Sequence, residues 1–86
     1  MRFLVESMLN QPPTPEILAL IPTEAARGME LDGQGLREKL YVAADQSRSW
    51  QVFAVASRAG LDEVLASFPL HPYVHETITP LVDDMA

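Results

Sequence analysis

The segment "SWQVFAVA", Ser49–Ala56, constrains the fold of this chain more than any other. Side chains alternate between the two faces of an extended strand. Apolar side chains fall on both faces of this segment, and Gln51 is the only polar residue between Trp50 and Val55. A strand that is apolar on both faces is covered on both faces. Since the helices of a small domain cover one face of its sheet, the sequence predicts a partner on the other face.

Four strands and two helices are predicted, in the order βαββαβ. The other three strands are Arg2–Met8, Arg37–Ala44 and Tyr73–Leu81. The polar loop "DQSRS" joins the second and third strands as a hairpin. Two β-α-β halves with short connections predict a ferredoxin-like α+β sandwich, in which both helices cover one face of a four-stranded antiparallel sheet. The apolar open face predicts a homodimer, the dimeric α+β barrel, and leaves a higher homo-oligomer open.

Each predicted helix has a start signal, a stop signal and an apolar face. Thr14 caps the first helix and "DGQG", Asp32–Gly35, ends it. Pro22 is expected to kink this helix or to restart it, because proline has no amide hydrogen to donate. Ser57 caps the second helix and Pro69 ends it. A spacing of four residues gives the first helix one apolar stripe, Ile17, Ile21, Ala25 and Met29.

Composition bounds the class of protein. The 86 residues predict a single domain, 1–86, with residues 82–86 as an acidic tail that is mobile unless it docks on a partner. The absence of cysteine excludes disulfides and thiolate metal sites. The net charge of −6 argues against a nucleic-acid partner, because phosphate binding requires a basic patch. Apolar runs are too short for a signal peptide or a membrane span, so we expect a cytoplasmic protein with no membrane partner.

Seven residues downstream of the first helix form a recognisable pattern: Gly35, Val52, Phe53, Pro69, Leu70, Pro72 and Tyr73. With these residues, and with its opening "MRFLVE", the chain resembles the muconolactone delta-isomerase family over most of its length, although the first helix aligns poorly. The resemblance implies the dimeric α+β barrel fold and large homo-oligomers. It also implies an isomerase of aromatic catabolism that moves a proton on an unsaturated lactone carboxylate without a cofactor.

Glu6 is the leading candidate for a general base. It lies in the middle of the first strand between apolar neighbours, on the face opposite Phe3 and Val5. If the helices cover Phe3 and Val5, Glu6 points into the space between two subunits, where a desolvated carboxylate is suited to removing a proton from carbon. The alternative is a structural carboxylate that pairs with Arg37 or Lys39 on a neighbouring strand, or that stays solvated at the end of the barrel.

His71 and His75, in "SFPLHPYVHE", are candidate auxiliary acids. A metal ion shared between them is disfavoured, because Pro72 interrupts a regular helix and the imidazoles of an extended segment start roughly 13 Å apart. The alternative for each histidine is a surface position in a turn. No P-loop, dinucleotide motif or nucleophile constellation is present, so we expect neither a metal nor a cofactor.

Candidate ligand-binding residues surround these acids and bases. Lys39 and Tyr41 share a strand face and Trp50 lies on the next strand, so an aromatic wall with one cation would suit a planar acidic or phenolic ligand. The alternative for Tyr41 and Trp50 is that both side chains fill the core. Arg27 is a second candidate anchor for an anion, and its alternative is a surface ion pair with Glu24, three residues earlier.

Three functions remain open. The leading one is a cofactor-free isomerase or related proton-transfer enzyme that binds a small aromatic-derived lactone or a polyketide-like molecule. The alternative is a non-catalytic subunit of the same barrel, which binds a small molecule or serves a structural role. A heme-free monooxygenase of the barrel class is the third.

The strand that is apolar on both faces predicts self-association in solution. Light scattering at micromolar concentration should therefore give at least twice the mass of one chain. A strict monomer at that concentration would contradict the sheet-to-sheet pairing.

Overall fold

A computed structural model of the chain, which describes residues 1–82, contains a four-stranded antiparallel sheet with the strand order β2-β3-β1-β4. Its elements are β1 (Arg2–Leu9), α1 (Pro15–Gly33), β2 (Arg37–Val42), β3 (Ser49–Ala54), α2 (Arg58–Ala66), a 3₁₀ turn (His71–Tyr73) and β4 (Val74–Leu81). The predicted ferredoxin-like βαββαβ order is confirmed. Of the acidic tail only Val82 is described, so the prediction for the rest of it lies outside the described residues.

The helix-covered face of the sheet carries the core. Phe3 of β1 pairs with Phe53 of β3, and Val5 lies between Gln51 and Ile78 on the two neighbouring strands. Alternation along each strand therefore places these side chains on one face. The buried apolar cluster contains residues of the central strands, both helices and the segment after α2: Phe3, Val5, Leu31, Phe53, Leu61, Leu65 and Phe68.

The opposite, open face of the sheet carries the other half of β3. Trp50, Val52 and Ala54 are only partly buried on this face, whereas Gln51 and Phe53 are buried beneath the helices. The two-sided apolar strand that the sequence predicts is therefore present. No helix within residues 1–82 is long and apolar enough to cross a membrane.

Helix α1 is continuous from Pro15 to Gly33, so Pro22 does not restart it. Pro22 lies on the exposed side of the helix, where water can bond to the Leu18 carbonyl that lacks its usual amide donor. The predicted cap is confirmed, since Thr14 Oγ1 accepts a hydrogen bond from the Ile17 amide at 3.2 Å. Beyond the helix, Gly35 has a φ of +73°, which glycine adopts without steric cost.

The stripe predicted on α1 does not pack as a unit. Ile17 is buried, but Ile21 and Met29 are 48% and 71% exposed, and the other buried residues of the helix are Gly28 and Leu31. The reason is the helical period, because residues four apart are rotated by about 40° from each other and a stripe at that spacing turns away from the sheet. The turned-away side chains leave a groove between α1 and β2.

Candidate functional site

A cavity of about 750 Å³ lies between α1 and the helix-covered face of the sheet. Most of its wall is apolar, and it includes Leu18 and Ile21 of α1 and Leu40 and Val42 of β2. These four side chains are also exposed, so the cavity opens to solvent along the edge between α1 and β2. Its volume falls within the range of small-molecule sites.

Titratable residues from four parts of the chain line the same cavity: Glu24 of α1, Arg37 of β2, His71 of the 3₁₀ turn and Glu76 of β4. A mostly apolar cavity with a few convergent polar groups is typical of a ligand site. Within residues 1–82, no three histidine, aspartate or glutamate side chains are grouped so as to hold a metal ion.

Glu24 is held by the backbone of the segment after α2. One of its carboxylate oxygens, Oε1, accepts a hydrogen bond from the Leu70 amide at 2.9 Å. Burial raises the pKa of the Glu24 carboxyl above its ordinary value, against the opposing effects of this hydrogen bond and of the Arg37 and His71 charges. The surface ion pair expected with Arg27 is absent among the described residues.

Arg27 is bound elsewhere on the surface. Its guanidinium donates to Ser67 Oγ at 2.9 Å and contacts Glu30 Oε2 at 3.1 Å. Both partners lie on the outer side of the molecule, and Arg27 does not line the cavity. Its predicted partner on the helix, Glu24, turns inward because it lies one turn before the buried Gly28.

His71 and Glu76 form the second titratable group of the cavity. His71 Nδ1 lies 3.4 Å from Glu76 Oε1, and the Glu76 side chain is 16% exposed. Burial raises the pKa of Glu76, an effect that His71 opposes and that Glu24 and Asp62 reinforce. Within residues 1–82 the buried Nδ1 atom has no hydrogen-bond partner.

Arg37 is a nearly buried cation with fixed partners. Its side chain is 9% exposed, and Nε and Nη2 donate to the two carboxylate oxygens of Asp32 at 2.8 and 3.0 Å. Nη1 donates to the side-chain oxygen of the buried Gln51 at 3.0 Å. The hydrogen bond from Arg37 holds the pKa of Asp32 below its ordinary value. Bidentate pairing of this kind fixes the orientation of a guanidinium as well as its position.

Glu6 lies outside the cavity, on the open face of the sheet. Its Oε2 accepts a hydrogen bond from Trp50 Nε1 at 2.8 Å and lies 3.6 Å from Arg48 Nη1. Its charged partner is therefore Arg48, and not Arg37 or Lys39 as the structural alternative expected. Arg37 is turned to the opposite face, toward α1. The role of Glu6 as a base stays a prediction.

The other predicted residues are divided between the two faces. Glu6, Trp50 and Tyr41 are successive partners across β1, β3 and β2, so they form one row on the open face, and Tyr41 is 59% exposed. Lys39 lies two residues from Tyr41 on the same side, opposite Val52. His75 is exposed on β4. Of the predicted site residues only His71 lines the cavity beneath α1.

Two polar residues of the cavity, Glu76 and Arg37, escaped sequence reasoning as site residues, although strand alternation contained the signal. Val74, Glu76 and Ile78 alternate along β4, and Ile78 packs against the core, so Glu76 has to lie on the same, helix-covered face. Arg37 likewise pairs with the core residue Phe53. A charged residue at a core position of a strand is the feature that identifies both.

A family model shows the family of the chain, and two solved structures share its fold. The model of the family described as muconolactone delta-isomerase matches residues 1–84. A crystal structure of muconolactone isomerase matches with a TM-score of 0.88 and 24% identity, covering 100% of this chain and 93% of that one. The structure of Rv0793 from Mycobacterium tuberculosis matches with a TM-score of 0.56 and 19% identity, covering 99% of this chain and 98% of that one. Among curated proteins nothing matches.

The raised pKa of Glu24 predicts a pH-dependent effect of Glu24→Gln on stability. The folded state favours the neutral carboxyl, so this group contributes stability below the ordinary pKa of glutamate and loses it as the pH rises through the folded-state pKa. Glutamine stays neutral and keeps an oxygen for the Leu70 amide. The unfolding free energy of the variant, relative to the wild type, should therefore increase as the pH rises from the ordinary pKa of glutamate through the raised folded-state pKa of Glu24.

Urea denaturation at one protein concentration measures this difference. Glu63→Gln, at an exposed position of α2, is the matched control because it removes one surface charge of the same kind. A relative stability of Glu24→Gln that stays constant or falls with pH would contradict the desolvation of Glu24.

Proposed function

The chain belongs to the muconolactone delta-isomerase family, and from this premise we propose that it is a cofactor-free isomerase acting in the cavity between α1 and the sheet. One observation carries the proposal. Glu24 and Glu76, both with raised pKa values, line one mostly apolar cavity together with His71. Carboxylates shifted toward neutral pH are suited to taking a proton from carbon and returning it.

Glu24 is the proposed base. The Leu70 amide fixes one oxygen of its carboxylate, which leaves the other oxygen to face a ligand. The base takes a proton from a carbon next to the substrate carbonyl, the electrons move into the conjugated system, and the same carboxyl returns the proton to another carbon. Bonds and charges balance within the substrate, so the reaction needs no redox cofactor.

His71 is the proposed hydrogen-bond donor to the substrate carbonyl, and Glu76 is the proposed partner that holds it. Charge develops on the carbonyl oxygen of the substrate when the carbon loses its proton, and a donor placed at that oxygen lowers the barrier. His71 borders the cavity and Glu76 Oε1 lies 3.4 Å from its Nδ1, so Glu76 orients the imidazole there. This assignment keeps the predicted auxiliary-acid role of His71 and gives it a partner.

The proposed substrate is a small aromatic-derived lactone or a polyketide-like molecule that carries an anionic group. The apolar wall accepts the hydrocarbon part of such a molecule, and Arg37 is a cation that borders the cavity, whereas the Arg48 guanidinium lies beside Glu6 on the open face. The anchors predicted from the sequence, Arg27 and Lys39, lie outside it. The resemblance to an enzyme of lactone carboxylates supports this class of substrate.

The open face supports a second location for the same chemistry. The Trp50 indole donates to Glu6, and Tyr41 lies next to Trp50 in the same row. A second copy of the chain packed against this face would bury the row and desolvate Glu6. We therefore propose the homodimer through this face, with Glu6 as the competing base. In the non-catalytic alternative, either location binds a small molecule without turnover.

Turnover of muconolactone separates these possibilities. Removing a general base costs roughly 10²–10⁴-fold in rate, so Glu24→Gln should lose that much, whereas Glu6→Gln should keep most of the wild-type rate. Proton exchange at the substrate carbon, followed in deuterated water, is the measurement because it reports the proposed step directly.

The opposite result would place the base on the open face, between two subunits. Binding of the lactone by a wild type that exchanges no proton would contradict the isomerase and favour the binding subunit. His71→Gln tests the electrophilic role separately, because it should slow exchange while leaving Glu24 in place.

A further inference from the structure

Gly28 lies inside the second half of α1, where glycine is among the residues least favourable to a helix. A Cβ atom built on Gly28 would lie 2.6 Å from both Nη atoms of Arg37 and 2.8 Å from its Cζ. Carbon and nitrogen atoms do not approach so closely without a bond. The guanidinium of Arg37 therefore occupies the space that any side chain at position 28 would need.

Three residues hold that guanidinium. Gly28 gives it a flat surface on the helix, Asp32 binds it one turn later on the same helix, and Gln51 binds it from β3. We name Gly28, Asp32 and Gln51 the guanidinium cradle. The cradle leaves Arg37 at the wall of the cavity, which also contains Glu24 one turn before Gly28.

We propose that Gly28 is a positioning residue, whose missing side chain lets the cradle hold Arg37 as the fixed cation beside Glu24. The inference rests on the proposed function in one respect, namely that Glu24 is the base whose charge matters. It goes beyond that function because it assigns a role to a residue that touches no substrate.

The groups around Glu24 show how the cradle acts. Burial raises the pKa of Glu24, while the Leu70 amide, the Arg37 charge and the His71 charge lower it. The Glu24 charge in turn raises the pKa of Glu76 on β4. Arg37 is the permanently charged cation of this set. A change in the distance between Arg37 and Glu24 would therefore change the pKa of Glu24.

A purely structural role for Gly28 makes a different prediction. If Arg37 only joins α1 to the sheet, a side chain at position 28 changes stability but leaves the titration of Glu24 as it was. If the cradle positions a charge, Gly28→Ala moves the guanidinium and raises the pKa of Glu24. Gly33→Ala is the matched control on the same helix, because a Cβ there meets no described atom within 4 Å.

Two nuclear magnetic resonance signals test the inference without any substrate. The Nε–H signal of Arg37 reports its hydrogen bond to Asp32, and the carboxyl carbon of Glu24 reports its pKa in a pH titration. In Gly28→Ala the Arg37 signal should move and the Glu24 midpoint should rise. Arg37→Gln should raise the midpoint at least as much, and Gly33→Ala should change neither signal.

Either of two results overturns the inference. In one, the Arg37 signal does not move in Gly28→Ala. In the other, the Arg37 signal moves but the titration midpoint of Glu24 does not rise. A double variant guards against a general loss of structure. Gly28→Ala should lower the melting temperature in the wild-type background but not in an Arg37→Gln background, where the clash has no partner. An equal loss in both backgrounds overturns the claim that Gly28 acts through Arg37.

The inference and the proposed function fail separately. If the wild type shows no turnover, the isomerase function is contradicted, but the Arg37 and Glu24 signals still test the role of Gly28. An active protein in which Gly28→Ala leaves the Glu24 titration unchanged contradicts the positioning role alone.

Discussion

Helix α1 packs on the sheet at its two ends and not in its middle, and the cavity follows from that constraint. Ile17 is buried near the start of the helix, and Gly28 and Leu31 are buried near its end. Between them the apolar side chains rotate away from the sheet, because their spacing of four residues exceeds the helical period. The sheet below this gap carries the apolar side chains of Leu40 and Val42 beside a few polar groups, and a small apolar molecule fits where a continuous helix face would otherwise pack.

The buried end of α1 determines the electrostatics of the cavity. A guanidinium removed from water is costly unless a carboxylate and further hydrogen bonds satisfy it. Arg37 has both, from Asp32 on the helix and Gln51 on β3, and it also contacts the backbone side of Gly28. The same contacts that join α1 to the sheet therefore place a fixed positive charge in a cavity that also holds two half-buried carboxylates.

The fold was predictable because its signals are local and periodic. The helix caps at Thr14 and Ser57 and the two-sided strand β3 all have the predicted structure. Which face of α1 packs on the sheet was not predictable from its apolar stripe. Ile17, Ile21 and Met29 are all apolar, and only the contacts with the sheet decide which of them is buried. Apolar residues indicate that a helix has a buried face, but they do not show where that face ends.

The site was predicted less well, for a related reason. The sequence places Glu6 on the open face correctly, but its partner, Arg48, comes from a hairpin loop whose path no periodicity describes. Glu24 was visible only as a neighbour of Arg27, because the Leu70 amide that turns it inward belongs to a segment 46 residues away. His71 was identified as a candidate because histidine is a common acid or base. Its partner Glu76 could be identified only by deciding which side chains of β4 lie on the helix-covered face.

The central claim is that the ligand binds beneath α1 and not on the open face of the sheet. Titration of the methyl-labelled protein with muconolactone, followed by nuclear magnetic resonance, tests it most directly. Binding beneath α1 predicts that the perturbed methyl groups are those of the cavity wall, Leu18, Ile21, Leu40 and Val42. Perturbation confined to Leu4, Val52 and Thr77, on the open face, would contradict it.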